Sequence, residues 1–200
     1  MQSFEYLIEN NPLRARVREI MEVKPLRDAT GIGRIERALH IASGNGSATQ
    51  LLVKHFAPEW LAGIDRDPEA IAAAQAQYAA GQEYSIQSVE SLAFEDGSFD
   101  AVFDLADLHN LPAWRRGLAE IERVLAPEGL LIMEEISIES FSRGAGKLFR
   151  KLSEHDYEAM LSIEELRAEI LRLGFELIHF EERNPLGLFP YFLAVARKPG

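Results

Sequence analysis

The sequence predicts an α/β fold in which a mostly parallel sheet is covered by helices on both faces. Strand-like and helix-like segments alternate along most of the chain, an order that is typical of parallel sheets. The apolar run at 130–133 is continuous, as expected for a central strand buried on both faces. Two apolar segments near the end of the chain flank the turn residues 184–187 and are expected to form an antiparallel pair at the sheet edge.

Each element of this fold has its own local signal. Short apolar or alternating runs predict strands at residues 39–41, 60–65, 84–89, 99–105, 130–133, 175–180 and 191–196. Helical spacing of apolar residues, together with caps such as Asp67 and the Ser162/Glu165 capping box, predicts helices at residues 50–56, 69–80, 112–125 and 162–173.

The first part of the chain predicts an amphipathic helix that lies across the fold or over its site. Residues 4–30 carry apolar positions at helical spacing between Arg14, Arg16 and Arg18. This basic face is expected to be a solvated surface. Pro25, Gly31 and Gly33 are expected to end the helix before the first strand.

Length and composition are those of one globular domain. The 200 residues are 47% apolar and 26% charged, which is ordinary for a folded chain. The net charge of −11 disfavours nucleic acid as a partner, and the absence of cysteine excludes disulfides and thiolate sites. With no apolar run long enough to span a membrane and no signal peptide, a cytoplasmic protein is expected.

Within this domain we distinguish two parts. Residues 1–34 are expected to form a helical cap, and residues 35–200 to form the main domain. Residues 137–160 interrupt the alternation of strands and helices. A long irregular stretch inside a compact domain is typical of a lid or a substrate wall.

The turn after the first strand is the strongest candidate for a ligand site. Gly44 and Gly46 allow close approach of the backbone, and the following helix directs free N–H groups towards the turn. Asp65 ends the next strand, where a carboxylate can accept hydrogen bonds from two ribose hydroxyls. Together these features predict a bound nucleoside, although tight glycine turns also occur without ligands.

The chain carries several motifs between residues 42 and 129: ASGNG at 42–46, GID at 63–65, LAFEDGSFDAV at 92–102, LHN at 108–110 and EIERVLAPEG at 120–129. In this order they resemble the class I S-adenosylmethionine-dependent methyltransferases, and the small-molecule branch of ubiquinone and menaquinone methyltransferases in particular. The resemblance implies a Rossmann-like domain with a seven-stranded sheet, S-adenosylmethionine as cofactor, and methyl transfer to a small-molecule acceptor. Phe141, Phe149, Tyr157 and Phe189 suggest an apolar or aromatic acceptor, although they could equally cover the core.

The resemblance also implies which residues contact the cofactor. Those expected against its methionine part are Ala42, Ser43, Gly44, Asn45 and Gly46. Asp65 would hold the ribose hydroxyls, with Arg66 beside the adenine. The remaining contacts would be Ser88, Val89 and Glu90 around the adenine and Leu105 beside the sulfonium.

Two positions depart from the family pattern. His40 stands where a carboxylate usually positions the cofactor's amino group, and Ser88 stands where an Asp usually receives the adenine amine. A neutral histidine accepts a hydrogen bond, whereas a protonated one repels a cationic ligand. We therefore expect weak cofactor binding that weakens further as the pH falls through about 6.5.

Methyl transfer demands alignment of donor and acceptor, and a base only when the acceptor must lose a proton. His109, just after the fourth strand, is the candidate base, unless it caps the helix that begins near Pro112. Further candidates are Asp104, Asp107 and Glu135. A metal site could be formed by His109, Asp107, Glu134 and Glu135, but their spacing follows no metal-binding motif, so no metal is expected.

Two other functions stay open at this level. A nicotinamide-dependent oxidoreductase shares the strand, the glycine turn and the later acid, but Thr49 occupies the third glycine position of that motif. A protein with the methyltransferase fold could also bind a ligand or partner without transferring methyl groups. Binding of S-adenosylmethionine by the purified protein distinguishes these functions.

Overall fold

A seven-stranded sheet runs through the centre of the protein in a computed structural model that describes residues 12–77, 79–142, 147, 157, 160–184 and 190–200. The strand order is β3-β2-β1-β4-β5-β7-β6. The strands are β1 (Arg37–His40), β2 (Trp60–Asp65), β3 (Gln82–Ile86), β4 (Phe99–Leu105), β5 (Leu125–Glu135), β6 (Glu176–Arg183) and β7 (Tyr191–Arg197). The first five strands pair in parallel, whereas β7 lies antiparallel between β5 and β6, which confirms the predicted fold class.

Helices connect these strands. They are α1 (Pro12–Arg18), α2 (Lys24–Thr30), α3 (Ser47–Phe56), α4 (Pro68–Ala76), α5 (Trp114–Val124) and α6 (Ile163–Arg172). A π-helical turn, Glu19–Val23, joins α1 to α2, and short 3₁₀ turns cover Leu108–Asn110 and Ile138–Phe141. In the described part of the chain no helix has the length and apolar character needed to cross a membrane.

The sheet separates two apolar layers, because successive strand residues point to opposite faces. On one face, Val102 and Leu131 pack in a cluster with residues of α5 and α6. On the other face, Ala101 and Leu130 pack in a cluster with residues of α2 and α3. The result is the predicted three-layer arrangement with helices on both faces.

The prediction that Pro25 ends the first helix is wrong. Pro25 lies in the first turn of α2, and helical structure continues to Thr30, where Gly31 adopts a left-handed conformation. Proline has no N–H to donate to the carbonyl four residues earlier, here that of Met21. That carbonyl instead accepts hydrogen bonds from Tyr191 Oη at 3.1 Å and Arg183 Nη1 at 3.0 Å, which tie the helix to β6 and β7.

Other element boundaries differ by a few residues. The predicted helix at 69–80 ends at Ala76, and the predicted strand at 84–89 begins and ends earlier, at Gln82–Ile86. The strand predicted at 130–133 extends over Leu125–Glu135. The division at residue 34 stays a prediction. Val23 and Leu26 of the first part pack into the same apolar cluster as the sheet.

Gly63 lies in β2 where the Tyr84 ring passes over the backbone. A Cβ at Gly63 would come within 2.5 Å of the ring and 2.9 Å of Ser43 Oγ. Gly63→Ala is therefore expected to lower the free energy of unfolding by about 1–3 kcal/mol, because the Tyr84 ring and the loop after β1 must move away from β2. Urea unfolding measures this loss. Gly33→Ala, where a Cβ meets nothing within 4 Å, is the control, and an equal loss in both variants would contradict the prediction.

Candidate functional site

A cavity of about 640 Å³ opens where the parallel strands end at their carboxyl edge. Ligands of open α/β sheets bind at this edge. The predicted site residues that line the cavity are His40, Ala42, Ser43, Gly44, Asn45, Asp65, Leu105 and His109. The structure thus brings together residues from β1, β2, β4 and the turn after β4.

The loop after β1 is held in place by backbone hydrogen bonds. Ser43 N donates to Ile64 O at 2.8 Å, and Gly46 N donates to Ser43 O at 3.0 Å. Gly44 and Gly46 have φ values of 54° and 83°, the left-handed region that glycine adopts without strain. A Cβ at Gly46 would also lie 3.0 Å from the hydroxyl of Tyr84. These two glycines are therefore required by the path of the loop.

Asp65 connects this loop to the end of β2. Its Oδ2 accepts a hydrogen bond from Gly44 N at 2.9 Å, and its Oδ1 accepts one from Asp67 N at 2.9 Å. Each carboxylate oxygen can accept a second hydrogen bond. Asp65 therefore shapes the loop and still offers acceptor capacity at the cavity wall.

His40 is buried at the floor of the cavity beside α3. Its Nδ1 lies 2.8 Å from Thr49 Oγ1. Burial, and after it the charge of Arg18, lowers the pKa of His40 to about 3. The imidazole therefore stays neutral at pH 6.5, and the prediction that ligand binding weakens as His40 protonates near that pH is wrong.

Buried carboxyl groups cluster at the carboxyl ends of β4 and β5. Burial, followed by repulsion from Glu135, raises the pKa of Asp104 above its usual range. Burial, followed by repulsion from Asp107, does the same to the pKa of Glu135. Burial, followed by the charges of Glu22 and Glu135, raises the pKa of Glu134 as well. Burial and the charge of Asp65 raise the pKa of Asp107 to about 6.

His109 pairs with one of these carboxyls. Its Nδ1 lies 2.8 Å from Glu135 Oε2, and its backbone N–H donates to Glu135 Oε1 at 3.4 Å. Burial lowers the pKa of His109 to about 4, so the imidazole is neutral at pH 7. α5 begins after Ala113, whose side chain provides no cap, and the capping role of His109 stays a prediction.

Asp104 is the member of the cluster best placed to hold a proton. Its Oδ2 has no hydrogen-bond partner among the described residues, whereas Glu135 also accepts a hydrogen bond from Ile136 N at 3.0 Å. Hydrogen bonds to a carboxylate favour its ionised form. A proton is therefore held more firmly by Asp104 than by Glu135, and the carboxyl of Glu135 accepts the N–H of His109 Nδ1.

Asp104→Asn is expected to stabilise the protein at pH 8. The pKa of Asp104 is raised by folding, so its contribution to stability is full below the unfolded value of about 3.8 and is lost as the pH rises towards the folded value. An asparagine amide removes this loss and can donate to Glu135. Urea midpoints at pH 4 and pH 8 test the prediction, which fails if the variant is no more stable than the wild type at pH 8.

A smaller space of about 60 Å³ adjoins the cavity and shares Ala42, Asp65 and Asp107 with it. Arg66 and Val89 line this space, as does Gln87, which the sequence analysis did not select. The predicted contacts Gly46, Ser88 and Glu90 line neither space. Gly46 instead caps α3, and Ser88 Oγ accepts a hydrogen bond from Glu90 N at 3.3 Å.

Arg18 is the cavity residue whose role the sequence analysis assigned wrongly. The basic face of the first helix was expected to be solvated, yet Arg18 and Ala15 line the cavity. Helical spacing could have indicated that both share one face, since they are three residues apart. The described residues contain no group of three or more His, Asp or Glu side chains arranged to hold a metal ion.

Part of the predicted lid lies outside the described residues, as do Phe149 and Phe189. Phe141, Tyr157 and Met160 form a separate buried cluster. Ile136 packs against this cluster and also lines the cavity. Ile136 therefore connects this aromatic cluster to the wall of the cavity.

Comparison with known proteins agrees with this architecture. Residues 39–133 match the family model of a methyltransferase domain. The chain is 30% identical over 130 residues to phthiotriol/phenolphthiotriol dimycocerosates methyltransferase 1 of Mycobacterium ulcerans, covering 62% of this chain and 48% of that protein. It is also 30% identical over 137 residues to demethylmenaquinone methyltransferase of Thermotoga maritima, covering 68% and 55%.

Among solved structures, an S-adenosylmethionine-dependent methyltransferase from Mesorhizobium loti shares the fold with a TM-score of 0.72, at 17% identity over 88% of this chain and 96% of that one. The motifs, the sheet topology and the match of residues 39–133 to a methyltransferase domain make the chain similar to the class I S-adenosylmethionine-dependent methyltransferases. The chain spans about half the length of the curated relatives it matches.

Proposed function

We propose that this protein transfers a methyl group from S-adenosylmethionine to a small apolar or aromatic acceptor in the cytoplasm. The observation that carries the proposal is the cavity of about 640 Å³ at the carboxyl edge of the sheet. It joins the glycine loop and Asp65, which suit a nucleoside, to the His109–Glu135 pair, which suits proton removal.

The residues at the cavity fit a nucleoside with a charged amino-acid tail. Asp65 retains acceptor capacity for ribose hydroxyls, and the buried Ser43 Oγ, which has no hydrogen-bond partner among the described residues, lines the same wall. A buried hydroxyl without a partner is destabilising until something pairs with it. Arg66 and Val89 extend this end of the site into the adjoining space, where the base would lie.

The other assignments complete the proposed binding site. Ala42, Gly44 and Asn45 would contact the amino-acid part, and Leu105 would lie beside the sulfonium. For Gly46, Ser88 and Glu90 the proposal requires the ligand to extend beyond the two cavities. His40 would act as a neutral hydrogen-bonding group.

S-Adenosylmethionine, when bound, supplies an electrophilic methyl group. The chain's own contribution is to align the acceptor with it and to exclude water, which can account for about 7–11 kcal/mol of a barrier where the alignment is good. Neutral His109 would take a proton from an acidic hydroxyl, amine or carbon of the acceptor. Glu135 would orient the imidazole by accepting the N–H of Nδ1.

Apolar side chains support the proposed acceptor class. Leu51, Leu105 and Ile136 line the cavity, and Ile136 is backed by the cluster of Phe141, Tyr157 and Met160. Two of the curated relatives are named for demethylmenaquinone and phthiotriol substrates. The acidic side chains of the cavity and the net charge of −11 make a polyanion such as nucleic acid an unsuitable partner.

Calorimetry with S-adenosylmethionine, S-adenosylhomocysteine and NAD tests the proposal first. We expect both sulfur compounds to bind and NAD to bind more weakly or not at all, and tighter binding of NAD would overturn the proposal. A second experiment incubates the protein with labelled S-adenosylmethionine and a panel of quinols and phenols. Tight cofactor binding without transfer to any member would favour the alternative of a protein that binds its ligand without methylating.

A further inference from the structure

Arg18 is the one Lys or Arg side chain among the described residues that line the main cavity. It is the last residue of α1, and about a fifth of its side chain is exposed. Its Nε donates a hydrogen bond to Glu22 Oε2 at 3.1 Å, and no other described residue forms a hydrogen bond with its guanidinium group. The N–H groups of its two terminal nitrogens are therefore available to donate hydrogen bonds to a ligand.

The surroundings of Arg18 favour an anionic group at this end of the cavity. The charge of Arg18 acts on His40 and Glu134, which lie at the ends of β1 and β5. His40 is neutral and so does not repel an anion. Ala15, one turn earlier on the same helix, has a short side chain and also lines the cavity.

Other residues of the cavity wall carry the reverse charge. These residues are Asp65, Asp67 and Asp107, and the charge of Asp65 acts on Asp107. Carboxylates there would repel an anionic ligand group and suit hydroxyls or a cation. A ligand with hydroxyls at one end and a carboxylate at the other can therefore pair with residues of both charges.

We propose that Arg18 forms the binding subsite for the α-carboxylate of S-adenosylmethionine. This inference rests on the proposed function, because it names the part of the donor that α1 recognises. The carboxylate is the donor's one anionic group, and Arg18 is the one permanent cation on the described cavity wall. Glu22, by holding Nε, leaves the forked terminal nitrogens to meet the carboxylate.

The test compares S-adenosylmethionine with its decarboxylated analogue, which keeps the sulfonium and the amine. Calorimetry should show that the wild-type protein binds S-adenosylmethionine at least about tenfold tighter than the analogue, as expected for a charge-assisted hydrogen bond. In Arg18→Met this preference should fall to about twofold or less. Binding of 5′-methylthioadenosine, which lacks the whole amino-acid part, should be unchanged in the variant and reports an intact site.

Arg16→Met is the matched control. Arg16 lies on the same helix, is mostly exposed and pairs with Glu19 outside the cavity. This variant should keep the full preference for the carboxylate. A preference retained in Arg18→Met, or no preference in the wild type although both ligands bind, would overturn the assignment of Arg18. Failure of the wild type to bind any of the three ligands would instead overturn the proposed function.

Discussion

Asp65→Ala is expected to weaken binding of S-adenosylhomocysteine by about 10- to 100-fold. A carboxylate that accepts hydrogen bonds from ligand hydroxyls contributes about 1.5–3 kcal/mol, which corresponds to this loss. The substitution also removes the acceptor of Gly44 N, so the glycine loop loses a contact that holds it to β2. Both effects act on the same ligand, and calorimetry measures their sum.

Asp100→Ala separates loss of the ligand contact from a general effect of losing a carboxylate. Asp100 Oδ2 accepts hydrogen bonds from the backbone of Glu36 and Arg37 at 2.8 and 2.9 Å, at the amino end of β4 and away from the cavity. Its loss should leave the dissociation constant within about twofold. If Asp65→Ala binds as tightly as the wild type, Asp65 does not contact the ligand.

The sequence predicted those parts of the site that are fixed by the path of the backbone and by the order of the strands and loops along the chain. The loop at 42–46 and Asp65 follow two adjacent parallel strands, and parallel strands end at the same edge of a sheet. Their proximity therefore follows from the order of elements alone. The strand pattern also predicted the antiparallel end of the sheet, although not that β7 lies between β5 and β6.

The parts that the sequence did not predict depend on packing between distant elements. Arg18 reaches the cavity because the π-helical turn and the freed carbonyl of Met21 set how the N-terminal helix lies on β6 and β7. The neutral state of His40 depends on its complete burial, which a single strand pattern does not reveal. The pairing of His109 with Glu135 joins residues 26 positions apart.

The largest loss of activity is expected for His109→Gln. If the acceptor must lose a proton, removal of the base should lower the rate of methyl transfer by about 10²–10⁴-fold while S-adenosylhomocysteine still binds. In the wild type the pKa of His109 is lowered to about 4, so the rate should fall as the pH drops through about 4 and not near 6.5. The rate of labelled methyl transfer between pH 3.5 and 8 measures both effects.

Glu135→Gln tests how the imidazole is oriented. An amide can donate to Nδ1 as well as accept from it, so the tautomer with a free acceptor at Nε2 is no longer enforced. We expect a loss of about tenfold or more in kcat with little change in KM for S-adenosylmethionine. For His109→Gln the matched control is His179→Gln, because His179 also pairs with a glutamate, Glu181, at 3.6 Å on strand β6. A rate within twofold of the wild type in His109→Gln would show that the acceptor needs no base from this residue, and the chemistry would then rest on alignment in the cavity alone.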